Sequence, residues 1–398
     1  MCLRASAALC LSFGLALLGP GRLARALETD QYTVPDKPLA DIGPEVDVYV
    51  AATIWEVIQE ANGEAARHER LAARAGWDRV RDYHRGRAAR YRTEDHVARR
   101  LFEMTAGGAV PECKIELWVK RRRFNSAKRE GRPAKFGMTC DRAVFGNHPF
   151  EKPWLLVDLS PTVKVHGAYM GLDKLGHFFQ QGHEYFRAYR EEESRGGGEA
   201  ARLAKAVRIG VAQERGIYGE AMVGVYSNAD LAANYAGMKF YLNLTRPVRV
   251  GDATLPPLLA RGPRGEWVFN PRRGGTGAAD LLRPFVGEHF NEALNPSRYK
   301  GRLHDAVRRN LRRRVEEFAS FYKLDFDSES QRLSGLATWH GERYGHSGPR
   351  RLISVANLYR PSRAPDRAPA PAEARTADAR LPAEPQRGTG LQPVQATH

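Results

Sequence analysis

Six side chains between residues 167 and 244 have the types from which a reaction centre is built. Asp173, Lys174 and His177 lie in Asp173-Lys174-Leu175-Gly176-His177-Phe178, and Glu214 follows. Asp230 and Asn234 lie in Ser227-Asn228-Ala229-Asp230-Leu231-Ala232-Ala233-Asn234-Tyr235-Ala236-Gly237. His177, Glu214 and Asp230 have the ligand types of zinc or another divalent metal. In a hydrolytic reading they hold that metal or supply a general base, and Lys174 or Arg215 steadies an anionic substrate. The spacing is no standard metal signature, since neither H-E-x-x-H nor C-x-x-C occurs. A binding reading uses Asp173, Lys174 and Asn234 in the same cleft to hold a lipid or glycan without turnover. A structural reading explains much of the same pattern. Ser227-x-x-Asp230 resembles a helix cap, and Gly237 permits close packing. Lys174 then pairs with Glu214, and His177 hydrogen-bonds Asp230 or Asn234. Glu220 is a second candidate carboxylate.

Helices must position these groups. At about 100° per residue, Asp173, Lys174, His177, Gln181 and Glu184 share one helical face, and His183 points away from them. A second helix is expected over about residues 201–217. Its apolar face is Leu203, Val207, Gly210 and Val211, and Glu214 falls on that face, where an unpaired charge is costly. A third follows Ser227, with Asp230, Asn234, Gly237 and Tyr241 on one side. Three such helices bring His177, Glu214, Asp230 and Asn234 together.

The D-K-x-x-H-F entry, a glutamate and then S-x-x-D-x-x-A-N-x-x-G resemble the signature of VanZ-like and YfiM-like bacterial envelope proteins. The resemblance covers roughly residues 167–244. It implies an envelope location and a helical core, and carries no settled chemistry with it.

The rest of the chain supplies compartment and scaffold. Arg4, the apolar run 5–18 and Ala24-Arg25-Ala26 read as a secretory signal peptide over 1–26, which predicts a periplasmic or secreted protein. Lipidation at Cys10 is the lesser alternative. The formal charge is +16, and losing Arg4, Arg22 and Arg25 with the signal leaves +13. An exported basic chain meets anionic lipid, lipopolysaccharide or cell-wall polymer, and no nucleic acid is expected. A solvated arginine-rich surface is the plainer reading of the same charge.

Cys113 and Cys140 would then remain in an oxidising compartment, where a disulfide is expected, with two buried thiols as the alternative. Cys113, Ile115, Leu117 and Val119 alternate like a strand, with residues 135–140 as its partner. Residues 154–159 read as a second strand. Residues 45–105 read as helices, including one capped by Thr93. A helix is also expected to resume near Leu282, and another to span 303–322. The tail from 360 is rich in Pro, Ala and Arg and reads as disordered.

The expected architecture is therefore mainly α (α+β). A helical core over 27–359 carries a small antiparallel β-hairpin and precedes a disordered tail over 360–398. The expected function is an exported envelope protein with a binding or structural role around a polar helical core. The alternative is a metal-dependent hydrolase acting on an envelope lipid or glycan.

Overall fold

The first helix, α1 (Gly43–Arg74), is 32 residues long. Val46, Val50, Ile54, Val57, Ile58 and Ala61 recur at helical spacing along it and are buried. It turns back into α2 (Asp78–Tyr91), and α3 (Glu94–Thr105) follows. The Thr93 hydroxyl caps α3 by accepting from the His96 amide at 3.2 Å, as its sequence position suggests. This computed structural model describes residues 26–107, 113–139, 142–146, 157–216, 219–221, 224–273, 280–348, 350–355 and 358. They fall within one unit, Met1–Arg360, and the expected tail and all of the expected signal but Ala26 lie outside the described residues. The fold is mainly helical with small, mostly antiparallel sheets, as expected. No helix among the described residues is long and apolar enough to cross a membrane.

The stretch Cys113–Val119 is not a strand. It forms α4 (Lys114–Arg121), whose buried Ile115 and Val119 stand one helical turn apart. The Glu116 carboxylate accepts from the Cys113 amide at 2.9 Å and closes the N-terminal turn. Local capping thus overrides a two-residue alternation only seven residues long. Cys113 is a free, buried thiol, and burial pushes its pKa far above the ordinary thiol range. The expected partner Cys140 lies outside the described residues. A short helix, α5 (Asn125–Glu130), leads to the strand Lys135–Phe136. That strand pairs with Thr162–Val165, which forms an antiparallel hairpin with Ala168–Gly171. Val157–Leu159 is a strand as expected, paired in parallel with Ala26–Glu28.

The core helices follow. Asp173–Gly176 is a single α turn, α6, and continues into a π turn over His177–Gln181 and then α7 (Gly182–Ser194). Next come α8 (Glu199–Arg215) and α9 (Asn228–Asn243), close to the expected bounds. Every residue of α9 is buried, so it is the central rod rather than an amphipathic surface helix. Such a rod must satisfy its own polar groups internally. Lys239 pairs with Glu342 at 2.7 Å, for example, and the Tyr241 hydroxyl donates to the Phe179 carbonyl of the π turn at 2.9 Å.

Two expectations for the C-terminal third are corrected. No regular helix resumes at Leu282. Instead, the Leu281 and Leu282 amides both donate to the Asp47 carboxylate at 3.0 Å, which fixes an irregular turn. The helix expected over 303–322 is broken at Arg313-Arg314 into α10 (Gly301–Arg312) and α11 (Val315–Tyr322), with α12 (Phe326–Leu336) beyond.

His183 shows what burial does in this core. Its ring stacks on Phe102, with centroids 4.6 Å apart, and meets the Tyr241 ring edge-on. Burial pushes its pKa down to about 4, with Arg187 adding to the fall. The unfolded chain therefore holds more protons than the folded one between about pH 6.5 and 4. Stability is fully present above that window and falls as the pH is lowered through it, by up to roughly 3 kcal/mol from this residue. Urea titrations at pH 7 and pH 4.5 are expected to show a smaller acid loss in His183→Phe than in the wild type.

Candidate functional site

Lys174 is the centre. It sits in α6, and its side chain is 0% exposed. The ammonium meets Asp173 Oδ2 at 2.6 Å, Asp230 Oδ1 and Glu292 Oε1. Each partner comes from a different part of the chain. Asp173 is its neighbour in α6, Asp230 lies in the first turn of α9, and Glu292 lies in the irregular segment after Phe290. Asp173 and Glu292 accept hydrogen bonds from the ammonium, and Asp230 Oδ1 lies in ion-pair contact with it.

The carboxylates are held in turn. Asp173 Oδ1 accepts from the Thr29 hydroxyl at 2.6 Å, and the Asp173 amide donates to Ser160 Oγ at 3.0 Å. The Glu292 amide donates to the Gln31 side chain. Ser227 caps α9 by accepting from the Asp230 amide at 3.1 Å, so the cap itself places Asp230 under Lys174.

His177 stands at the edge of this cluster, with its side chain 18% exposed. Its Nε2 lies 3.2 Å from Asp230 Oδ2, and its Nδ1 lies 3.1 Å from Asn234 Oδ1. Nδ1 is thus hydrogen-bonded, and Nε2 faces the Asp230 carboxylate.

The π turn is what aims His177. The Gly182 amide reaches back five residues to the His177 carbonyl, and α7 crosses α9 at Gly182 and Gly237. A Cβ on Gly237 would lie 2.0 Å from the Phe178 carbonyl oxygen and 3.0 Å from the Gly182 Cα. Only glycine lets the two backbones approach this closely, and this contact seats the His177 turn on the Asn234 turn of α9.

Glu214 is near the cluster but outside the Lys174 cage. Buried in α8, it accepts from the Ser227 amide at 2.9 Å and does not form the expected pair with Lys174. Burial pushes its carboxyl well above the usual range, and Asp230 adds to the rise. Glu220 is not in the cluster and pairs with Arg298 at 2.9 Å. Burial would raise Asp173 too, but Lys174 and then His177 outweigh it and hold that carboxyl low. Burial would lower Lys174, and Asp173, Asp230 and Glu292 together hold it well above its ordinary value. Glu292 is pushed up to about 8 by burial, with Asp173 and Asp230 adding and Lys174 opposing. Near neutral pH the cage thus sets an ionised Asp173 against the ammonium, with Glu292 largely protonated.

Sequence reasoning missed Glu292, Thr29, Gln31 and Ser160. The available signal was a deficit. A core lysine beside one aspartate needs further acceptors, and Glu292 stands among apolar and asparagine residues in Phe290-Asn291-Glu292-Ala293-Leu294-Asn295.

Asp173, His177 and Asp230 each offer an atom within 4.8 Å of the others, a grouping open to a metal ion. Glu214, a sequence candidate for the ligand set, is not part of it. A dication there would share Asp173 and Asp230 with the Lys174 ammonium, so like charges would face each other across the same carboxylates. Asp47, His166 and Asp280 form a second grouping of this kind, with Asp280 exposed. Comparison with family models, with curated proteins and with solved structures returned no match.

Proposed function

We propose that this chain is an exported envelope protein with a binding or structural role, and that the Lys174 cluster holds its core together without carrying out a reaction. The observation that carries this reading is enclosure, with the Lys174 side chain 0% exposed. The buried ammonium has three carboxyl partners, and His177 at its edge lies 3.1 Å from Asn234 Oδ1 through Nδ1 and 3.2 Å from Asp230 Oδ2 through Nε2. Export is supported by the N-terminal apolar segment with its small-x-small site, and by the VanZ-like and YfiM-like motif pattern.

A second reading, a metal-dependent hydrolase acting on an envelope lipid or glycan, is favoured by the Asp173, His177 and Asp230 grouping. In it those three residues would hold a divalent ion, which would supply an activated water, and Glu214, whose carboxyl burial pushes up, lies near them. The metal content of protein purified from the periplasm without chelators or a histidine tag separates the two. The first reading expects far less than one equivalent in both the wild type and His177→Ala. Near-stoichiometric metal that is lost in His177→Ala would replace it with the second.

A further inference from the structure

Among the described residues, every large apolar side chain that stands exposed lies on the α1–α2 hairpin: Val48, Trp55, Leu71, Trp77, Val80 and Tyr83. Four of these six cluster at its tip. Trp77 is 79% exposed and Tyr83 60%, far beyond what a soluble surface needs from two large aromatics. Ala72 is the one buried residue between Glu69 and Gly86.

The tip is also basic. Arg70, Arg74 and Arg79 are exposed and have no ion pair among the described residues. The other tip arginines are paired within the hairpin, as Arg81 is with Asp78 at 2.7 Å. The hairpin is braced from within. His68 Nδ1 meets His84 Nδ1 at 2.9 Å, and Arg92 reaches Glu69 at 2.5 Å. At 1.5 Å per residue α1 is about 48 Å long, so a helix anchored in the core at Val46–Ala61 carries this tip well beyond it.

We propose that the hairpin tip docks on a bilayer surface carrying anionic lipid. Trp77 and Tyr83 lie among the headgroups, Leu71 and Val80 reach the acyl boundary, and Arg70, Arg74 and Arg79 meet lipid phosphates. Aromatic rings with one polar end favour the membrane–water interface, and unpaired arginines at the same level complement its negative charge. This names the partner class of the binding role proposed above, but it rests on hairpin residues alone. Failure of the Lys174 reading leaves it standing, and its own failure leaves the Lys174 reading standing.

The test is sedimentation of the purified protein with vesicles of phosphatidylcholine mixed with phosphatidylglycerol, beside phosphatidylcholine alone. Binding to the mixed vesicles is expected, weakening with added salt. Arg70→Gln/Arg74→Gln/Arg79→Gln is expected to weaken it by about a hundredfold. The same vesicles with brominated acyl chains are expected to quench wild-type tryptophan fluorescence, and Trp77→Phe, which keeps the ring and the fold, is expected to lose most of that quenching. Absence of wild-type binding, equal binding by the arginine variant, or equal quenching in Trp77→Phe would overturn the proposal. So would a dimer by light scattering that Trp77→Ser dissociates, because the tip would then be an interface between copies of this chain.

Discussion

Replacing Lys174 with methionine is expected to destabilise the protein by about 3–5 kcal/mol, the usual scale for removing one partner from a buried charge cluster. The methionine fills similar volume, so the loss is electrostatic rather than a packing defect. It leaves Asp173 and Asp230 facing each other without the ammonium between them, and Glu292 without its donor. Part of the loss is relieved as one aspartate takes up a proton, so the variant should recover some stability as the pH falls. Urea unfolding at pH 7 and pH 5 measures both effects. A loss below about 1 kcal/mol would mean that the cluster is not the tie between α6, α9 and the Glu292 segment that its geometry describes.

Gly237→Ala should cost about 2 kcal/mol or more, although alanine is the better helix former by about 1 kcal/mol. The added methyl meets the Phe178 carbonyl at 2.0 Å, and main chain cannot swing aside. Helices α7 and α9 must separate, and the π turn bearing His177 moves with them. Gly63→Ala is the matched control. It lies inside α1 and is exposed, and a Cβ there meets nothing within 4 Å. That substitution is expected to stabilise by up to about 1 kcal/mol. Opposite signs for two helix-interior glycines, read from thermal melts, test the crossing directly. Equal stabilisation by both would contradict it.

The parts of the site that repeat with a helical period were legible in the sequence. Ser227 and Asp230 announce the start of α9 through their three-residue spacing, and the recurrence of Asp230 and Asn234 places both on the His177 side. His183 does point away from His177, into the Phe102 and Tyr241 rings. Glu292 was not legible. It reaches Lys174 across 118 residues from a segment without periodicity, and no local pattern encodes that approach. The pairing of Lys174 with Glu214 failed for a related reason. Helical phase places Glu214 on the inner face of α8 but not its height along the bundle, and the Ser227 amide takes it instead. The Cys113 segment misled because Ile115 and Val119 fit both a two-residue and a four-residue repeat. Glu116, placed to accept from the Cys113 amide, was the signal that favoured the helix.

The most direct test of the central claim, that Lys174 acts by balancing buried charge, is the stability of Lys174→Met/Asp173→Asn/Asp230→Asn beside Lys174→Met alone. The triple variant removes one cation and two anions together, and the carboxamide that replaces the Asp173 carboxylate can still accept from the Thr29 hydroxyl. It is expected to regain more than half of the stability that the single variant loses, because a neutral buried cluster carries no unpaired charge. A triple variant as unstable as Lys174→Met, or less stable, would show that the carboxylates serve something other than the lysine.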